Sequence, residues 1–86
     1  MNKQNFMELP KVNHEFNFHA EIKYETENGF SFTSAVGNSY NDFLKDVKYR
    51  LKQYKDRQPK IMLAIKYPNH KNIDITKTIL NETNRS

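Results

Sequence analysis

Phe16-Asn17-Phe18-His19-Ala20-Glu21-Ile22-Lys23-Tyr24-Glu25-Thr26-Glu27-Asn28-Gly29-Phe30-Ser31-Phe32-Thr33-Ser34-Ala35-Val36 is the stretch that decides the fold. Its first half alternates strictly: Phe16, Phe18, Ala20, Ile22 and Tyr24 are separated by Asn17, His19, Glu21 and Lys23. A period of two with one apolar side is the pattern of a strand that buries one face and wets the other. Asn28-Gly29 then marks a hairpin turn, and Phe30, Phe32, Ser34 and Val36 carry the alternation onward. Two registers compete. A two-residue Asn28-Gly29 loop pairs Tyr24 with Thr33 and sends Phe30 and Phe32 to the polar side. A three-residue loop, Glu27-Asn28-Gly29, pairs Tyr24 with Phe32 and gathers the aromatic rings on one face, with Gly29 left-handed. Burial outweighs turn preference, so the pattern predicts the three-residue loop.

Downstream, Gly37-Asn38 breaks the strand, and Ser39 reads as a helix N-cap with Asp42 three residues on. Tyr40, Phe43, Leu44, Val47, Leu51 and Tyr54 form an apolar stripe at helical spacing, predicting a helix over 39–57 that stops before Pro59. Asp46 and Arg50 stand at pairing distance along it. Ile61, Leu63, Ile65 and Tyr67 alternate with Met62, Ala64 and Lys66, a further strand; Pro68-Asn69-His70-Lys71-Asn72 is a turn. The β-branched run Ile73, Ile75, Thr76, Thr78 and Ile79 favours a fourth strand, with a helix from Asp74 as the competing reading.

The expected fold is α+β. It is a two-layer sandwich in which an antiparallel sheet of three to four strands, β-β-α-β-β with order 2-1-3-4, is covered on one face by a single helix. Residues 1–13 read as an irregular arm, 14–80 as one domain and 81–86 as a frayed end. The expected core is Phe16, Phe18, Ile22, Tyr24, Phe32, Phe43, Leu44, Val47, Leu51, Ile61, Leu63 and Ile65. The other sheet face is expected to show Asn17, His19, Glu21, Lys23, Ser31, Thr33, Met62 and Lys66.

The length of 86 residues allows one small domain, and a mean hydropathy of −0.96 with 36% hydrophobic residues keeps its interior modest. No cysteine is present, which excludes disulfides, thiolate metal sites and a cysteine nucleophile. No signal peptide or membrane-length apolar run is visible, so a cytoplasmic location is expected. His14, His19 and His70 lack metal-ligand spacing, and Gly29 and Gly37 make no phosphate loop. Catalytic residues, metal and cofactor are all expected to be none. Asn and Lys supply 22 positions against three Ala, the bias of an AT-rich gene of a bacterium, phage or mobile element.

The net charge of +4 is unevenly spread. Between Lys45 and Lys60 there are seven basic and two acidic residues. Lys45, Lys48, Lys52 and Lys55, with Tyr49 and Arg57, form a second stripe on the helix and are the candidate binding residues. Such a stripe meets an acidic protein surface or phosphates. The reading that follows is a small non-catalytic protein, of phage or mobile-element type, acting by protein–protein contact as an inhibitor or adaptor of a host machine such as a nuclease or defence complex. Direct, largely sequence-independent nucleic-acid binding through the basic helix face is the alternative. The expected partners are therefore a host protein or protein–nucleic-acid complex, with no membrane; an open sheet edge also allows a homodimer.

Overall fold

A computed structural model describes residues 16–67 and 72–84. Strand β1 (Phe18–Thr26) turns into β2 (Gly29–Gly37), helix α1 (Tyr40–Gln53) follows, and a single 3-10 turn (Lys55–Arg57) leads to β3 (Lys60–Lys66). A two-residue strand β4 (Ile73–Asp74) and helix α2 (Thr76–Asn84) complete it. The sheet is antiparallel with order β2-β1-β3-β4, as the sequence predicts. The expected arm at 1–13, the turn at 68–71 and the last two residues lie outside the described residues.

Helix α1 starts as its sequence dictates. Ser39 is extended and its Oγ accepts the Asp42 amide at 3.1 Å, satisfying one of the free N–H groups of the first turn. It ends earlier than the expected 57. The backbone tightens into the 3-10 turn, and Gln58 adopts φ 51°, the left-handed conformation that ends the turn before Pro59.

The hairpin register is a correction. Tyr24 faces Ser31, Lys23 faces Phe32, Glu25 faces Phe30 and Thr26 faces Gly29, so only Glu27 and Asn28 lie between the paired ends. Gly29 does take a positive φ, 132°, a region open to glycine. Facing residues share a side of the sheet, so β2 sends Ser31, Thr33, Ala35 and Gly37 toward the helix and Phe30 and Phe32 away. Phe32, expected in the core, is exposed, while Ser31 and Thr33 leave the outer face. The reason is clearance. A Cβ on Gly37 would sit 2.5 Å from the Phe43 amide nitrogen, so α1 rides directly on β2 and only small side chains fit beneath it.

Strand β3 carries a second correction. Glu21 pairs with Leu63 but Ile22 with Ile61, so Met62 is the extra residue of a β-bulge. The bulge flips the parity. Ile61 and Ala64 face the helices, and Ile65, opposite His19, is buried on the other side. The run after residue 72 resolves both competing readings, two residues of strand and then a helix. The Thr76 Oγ1 accepts the Ala64 amide at 2.9 Å and the Ile75 amide donates to the Ala64 carbonyl at 2.8 Å. These bonds satisfy β3 where a longer fourth strand would have paired, and α2 runs to Asn84, past the expected end of order at 80. Two helices, not one, therefore cover the sheet.

The core between layers is Phe18, Ala20, Ile22, Ala35, Phe43, Val47, Ile61, Ala64 and Ile79, with Tyr40, Leu44, Leu51 and Ile75 packed at its rim. Phe18 stacks on Phe43 with centroids 5.3 Å apart and meets Tyr40 edge-on at 6.0 Å. Phe16, Tyr24 and Leu63 are half-buried. Ala20, Ala35, Ala64 and Ile79 are the members the expected core omits, and Ile79 is the large one.

Candidate functional site

Lys45, Lys48 and Lys52 share one exposed flank of α1, and Lys55 and Arg57 are exposed on the 3-10 turn beyond it. At 100° per residue the lysines fall on one side of the core stripe, while Asp46 and Arg50 fall on the other, toward β2. Arg50 is thus withdrawn from the basic face. Its Nε donates to Asp46 Oδ1 at 3.4 Å and its Nη1 to Thr33 Oγ1 at 3.1 Å. Tyr49 is 61% exposed, with the Arg50 guanidinium 6.0 Å from its ring centre. Arg57 reaches back to the Glu25 carbonyl at 3.5 Å, so it stands apart from the helical row. Among the described residues no acid forms an ion pair with any of the four lysines. The structure thus brings Lys45, Lys48, Lys52 and Tyr49 together on α1, with Lys55 on the 3-10 turn beyond them and Arg57 turned toward the hairpin.

The junction below that row is fixed by a tyrosine pair. Tyr24 and Tyr54 stack with centroids 3.9 Å apart and planes at 13°. Hydrogen bonds from Ser31 and Tyr54, with Arg57 nearby, hold the Tyr24 hydroxyl below the usual tyrosine range. Donation to Tyr24 and burial push Tyr54 up. The pair ties the end of α1 to the hairpin.

A second surface, which the sequence reading placed in the core, lies on the sheet face turned away from the helices. Phe30 and Phe32 are 58% and 49% exposed, with centroids 5.7 Å apart and planes at 85°. Lys23 Nζ lies 4.7 Å from the Phe30 ring centre, a cation–π contact. The signal for this surface is in β2 itself. Ser31, Thr33, Ala35 and Gly37 form a row of small residues at alternate positions, the side a close helix requires.

Next to the rings, Glu21 Oε2 lies 2.6 Å from His19 Nε2 and accepts from Ser34 Oγ at 2.8 Å. His19, expected on the surface, is 4% exposed. The Ser34 hydroxyl donates to a carboxylate and not to the imidazole, so the trio lacks the base–nucleophile contact of a hydroxyl relay. Among the described residues no group of three His, Cys, Asp or Glu is placed to hold a metal ion. No helix there is long and apolar enough to cross a membrane. A recess of about 180 Å³ between Leu51, Pro59, Ile61 and Leu80 is smaller than the roughly 300–1,000 Å³ of small-molecule sites.

No family model matches the chain, and no curated protein or solved structure matches it either.

Proposed function

We propose that the chain is a small non-catalytic binding protein that acts by protein–protein contact, as an inhibitor or adaptor of a larger host machine such as a nuclease or defence complex. The contact is made by the basic flank of α1 against an acidic protein surface. The observation that supports this is the row Lys45, Lys48 and Lys52, exposed and without an ion-pair partner among the described residues, around the exposed ring of Tyr49. Tyrosine flanked by cations is the composition of an interface anchor with a charged rim, where the charges steer encounter and fix orientation. The Asn- and Lys-rich, Ala-poor composition, which AT-rich codons produce, fits an accessory protein of a phage or mobile element.

Direct nucleic-acid binding is the second reading, favoured by the same lysine row and by Phe30 and Phe32 standing exposed on the sheet. Two features weigh against it. The row from Lys45 to Lys55 spans only about 15 Å of helix rise, room for roughly four phosphates. The two rings are perpendicular, and Lys23 already lies over one of them, so they offer no flat pair for successive bases.

Binding to duplex and single-stranded DNA across a salt series tests the choice. Protein contact predicts no retardation at physiological salt. Retardation of every sequence, with a log K against log salt slope of about −3.6 and loss on Lys48→Glu with Lys52→Glu, would establish the second reading instead.

A further inference from the structure

The outer edge of β2 is an unusual edge for a protein that stays alone. Its nine residues, Gly29–Gly37, contain no charge, no proline and no bulge, the devices by which edges are normally kept from pairing. The Val36 amide points off the sheet, because Asp46 Oδ2 accepts it at 3.0 Å. Amides two residues apart on a strand point the same way, so those of Phe30, Phe32 and Ser34 also face outward. No described residue bonds them.

We infer that this edge pairs antiparallel with the same edge of a second copy, Ser31 meeting Ser31 on the two-fold axis. Three observations select that occupant and that register. The Val36 amide is already taken, so the free donors end at Ser34. Centring on Ser31 uses the Phe30, Phe32 and Ser34 amides, with Ser34 meeting the Asn28 carbonyl because the Asn28 amide donates to Thr26 Oγ1, and it stops short of Asp46. On the helix side the seam would join Gly29 to Thr33 and Ser31 to its own copy, all small, and α1 reaches it through the Arg50 guanidinium on Thr33. On the other side Phe30 would lie beside Phe32 of the second copy, closing a four-ring cluster that withdraws both exposed rings of each chain.

Charge agrees as well. Lys23 faces Phe32 and Glu25 faces Phe30 within each chain, so every row across the seam runs from a Glu25 to a Lys23 of opposite copies. No like charges meet. The edge and four half-exposed rings would bury on the order of 1,000 Å² in total, at the small end of specific interfaces, so a micromolar dimer is the expectation. The lysine flank of α1 lies on the side of the helix away from the seam. Pairing would thus leave two copies of it displayed on one face of an eight-stranded sheet.

Sedimentation velocity of the full chain over a concentration series is the test. A monomer–dimer equilibrium is expected, weakened about tenfold or more when Phe30→Lys and Phe32→Lys put four like charges at the seam. Both positions are exposed, so an unchanged circular dichroism spectrum confirms that the variant folds. Ser31→Cys, in a chain with no other cysteine, should give a disulfide-linked dimer under mild oxidation. The two Cα atoms would be about 4.5 Å apart in a non-hydrogen-bonded pair. Thr33→Cys, facing Gly29, should not.

A chain that stays monomeric up to millimolar concentration overturns the inference and leaves the edge to a strand from another protein. A dimer untouched by the double lysine variant, or cross-linked through position 33 and not 31, overturns it too. Lys48→Glu with Lys52→Glu should leave the dimer intact, which separates this outcome from that of the contact on α1.

Discussion

Asp46 Oδ2 accepts the backbone amide of Val36 at 3.0 Å, so helix α1 closes one end of the edge strand on which it rests. The same carboxylate receives Arg50 Nε, whose guanidinium goes on to Thr33. One acidic side chain thereby fixes where α1 sits over β2 and, among the described residues, which outward amide of that edge is capped. Asp46→Ala should cost about 1.5–3 kcal/mol in urea denaturation, the range for a hydrogen bond to a charged group. Hydrogen exchange at Val36 should rise with it. Exchange at Val36 as slow as in the parent would show that another group shields that amide.

Phe18 and Phe32 report the hairpin register. Truncating Phe18 to Ala removes a buried ring stacked on Phe43 and should cost about 3–5 kcal/mol. Phe32→Ala, on an exposed ring, should cost less than about 1 kcal/mol, measured at low protein concentration. Equal losses at the two positions would put Phe32 back in the core and refute the register.

These two residues also show what was legible in the sequence. The strict alternation of 16–24 and the Ser39 cap carry enough local information to place β1 and the start of α1, and with the one-sided strands they lead to the sheet order. The facing of β2 is different. Phe30 and Phe32 look like core by hydrophobicity alone, and only the closeness of α1 to Gly37 shows that the small residues must face inward. The bulge at Met62 is equally silent, since Ile61, Leu63 and Ile65 alternate without a break and the parity changes through pairing with β1. Of the candidate site, Lys45, Lys48, Tyr49 and Lys52 were readable because helical spacing fixes a face; Lys55 and Arg57 fall beyond the helix, where that spacing no longer applies.

Ile79 tests whether α2 belongs to the core. It is fully buried, and Ile79→Ala should destabilise the whole domain by about 2–5 kcal/mol. If thermal unfolding of the variant were unchanged, α2 would be an appendage docked without consequence for the sheet.

Asp74 sets an acid limit on the same helix. Its Oδ1 accepts both the hydroxyl of Thr76 at 2.6 Å and its amide at 2.9 Å, and these bonds hold the carboxyl below its ordinary value of 3.8. A carboxyl lowered by folding stabilises fully above the unfolded value and ceases to do so as pH falls through the lower folded one. Between pH 5 and pH 2 the parent should therefore lose more stability than Asp74→Asn. Parallel curves for the two proteins would show that Asp74 contributes nothing to the acid transition.

The lysine flank of α1 is proposed to meet a protein. The most direct measurement is a pull-down with the tagged chain from lysate of the cells in which its gene resides. It is repeated after nuclease treatment and again with Lys48→Glu plus Lys52→Glu. One protein partner should persist through nuclease and disappear with the double reversal, while the reversed chain keeps its thermal midpoint. Loss of every partner on nuclease treatment, or a partner retained by the reversed chain, would contradict it.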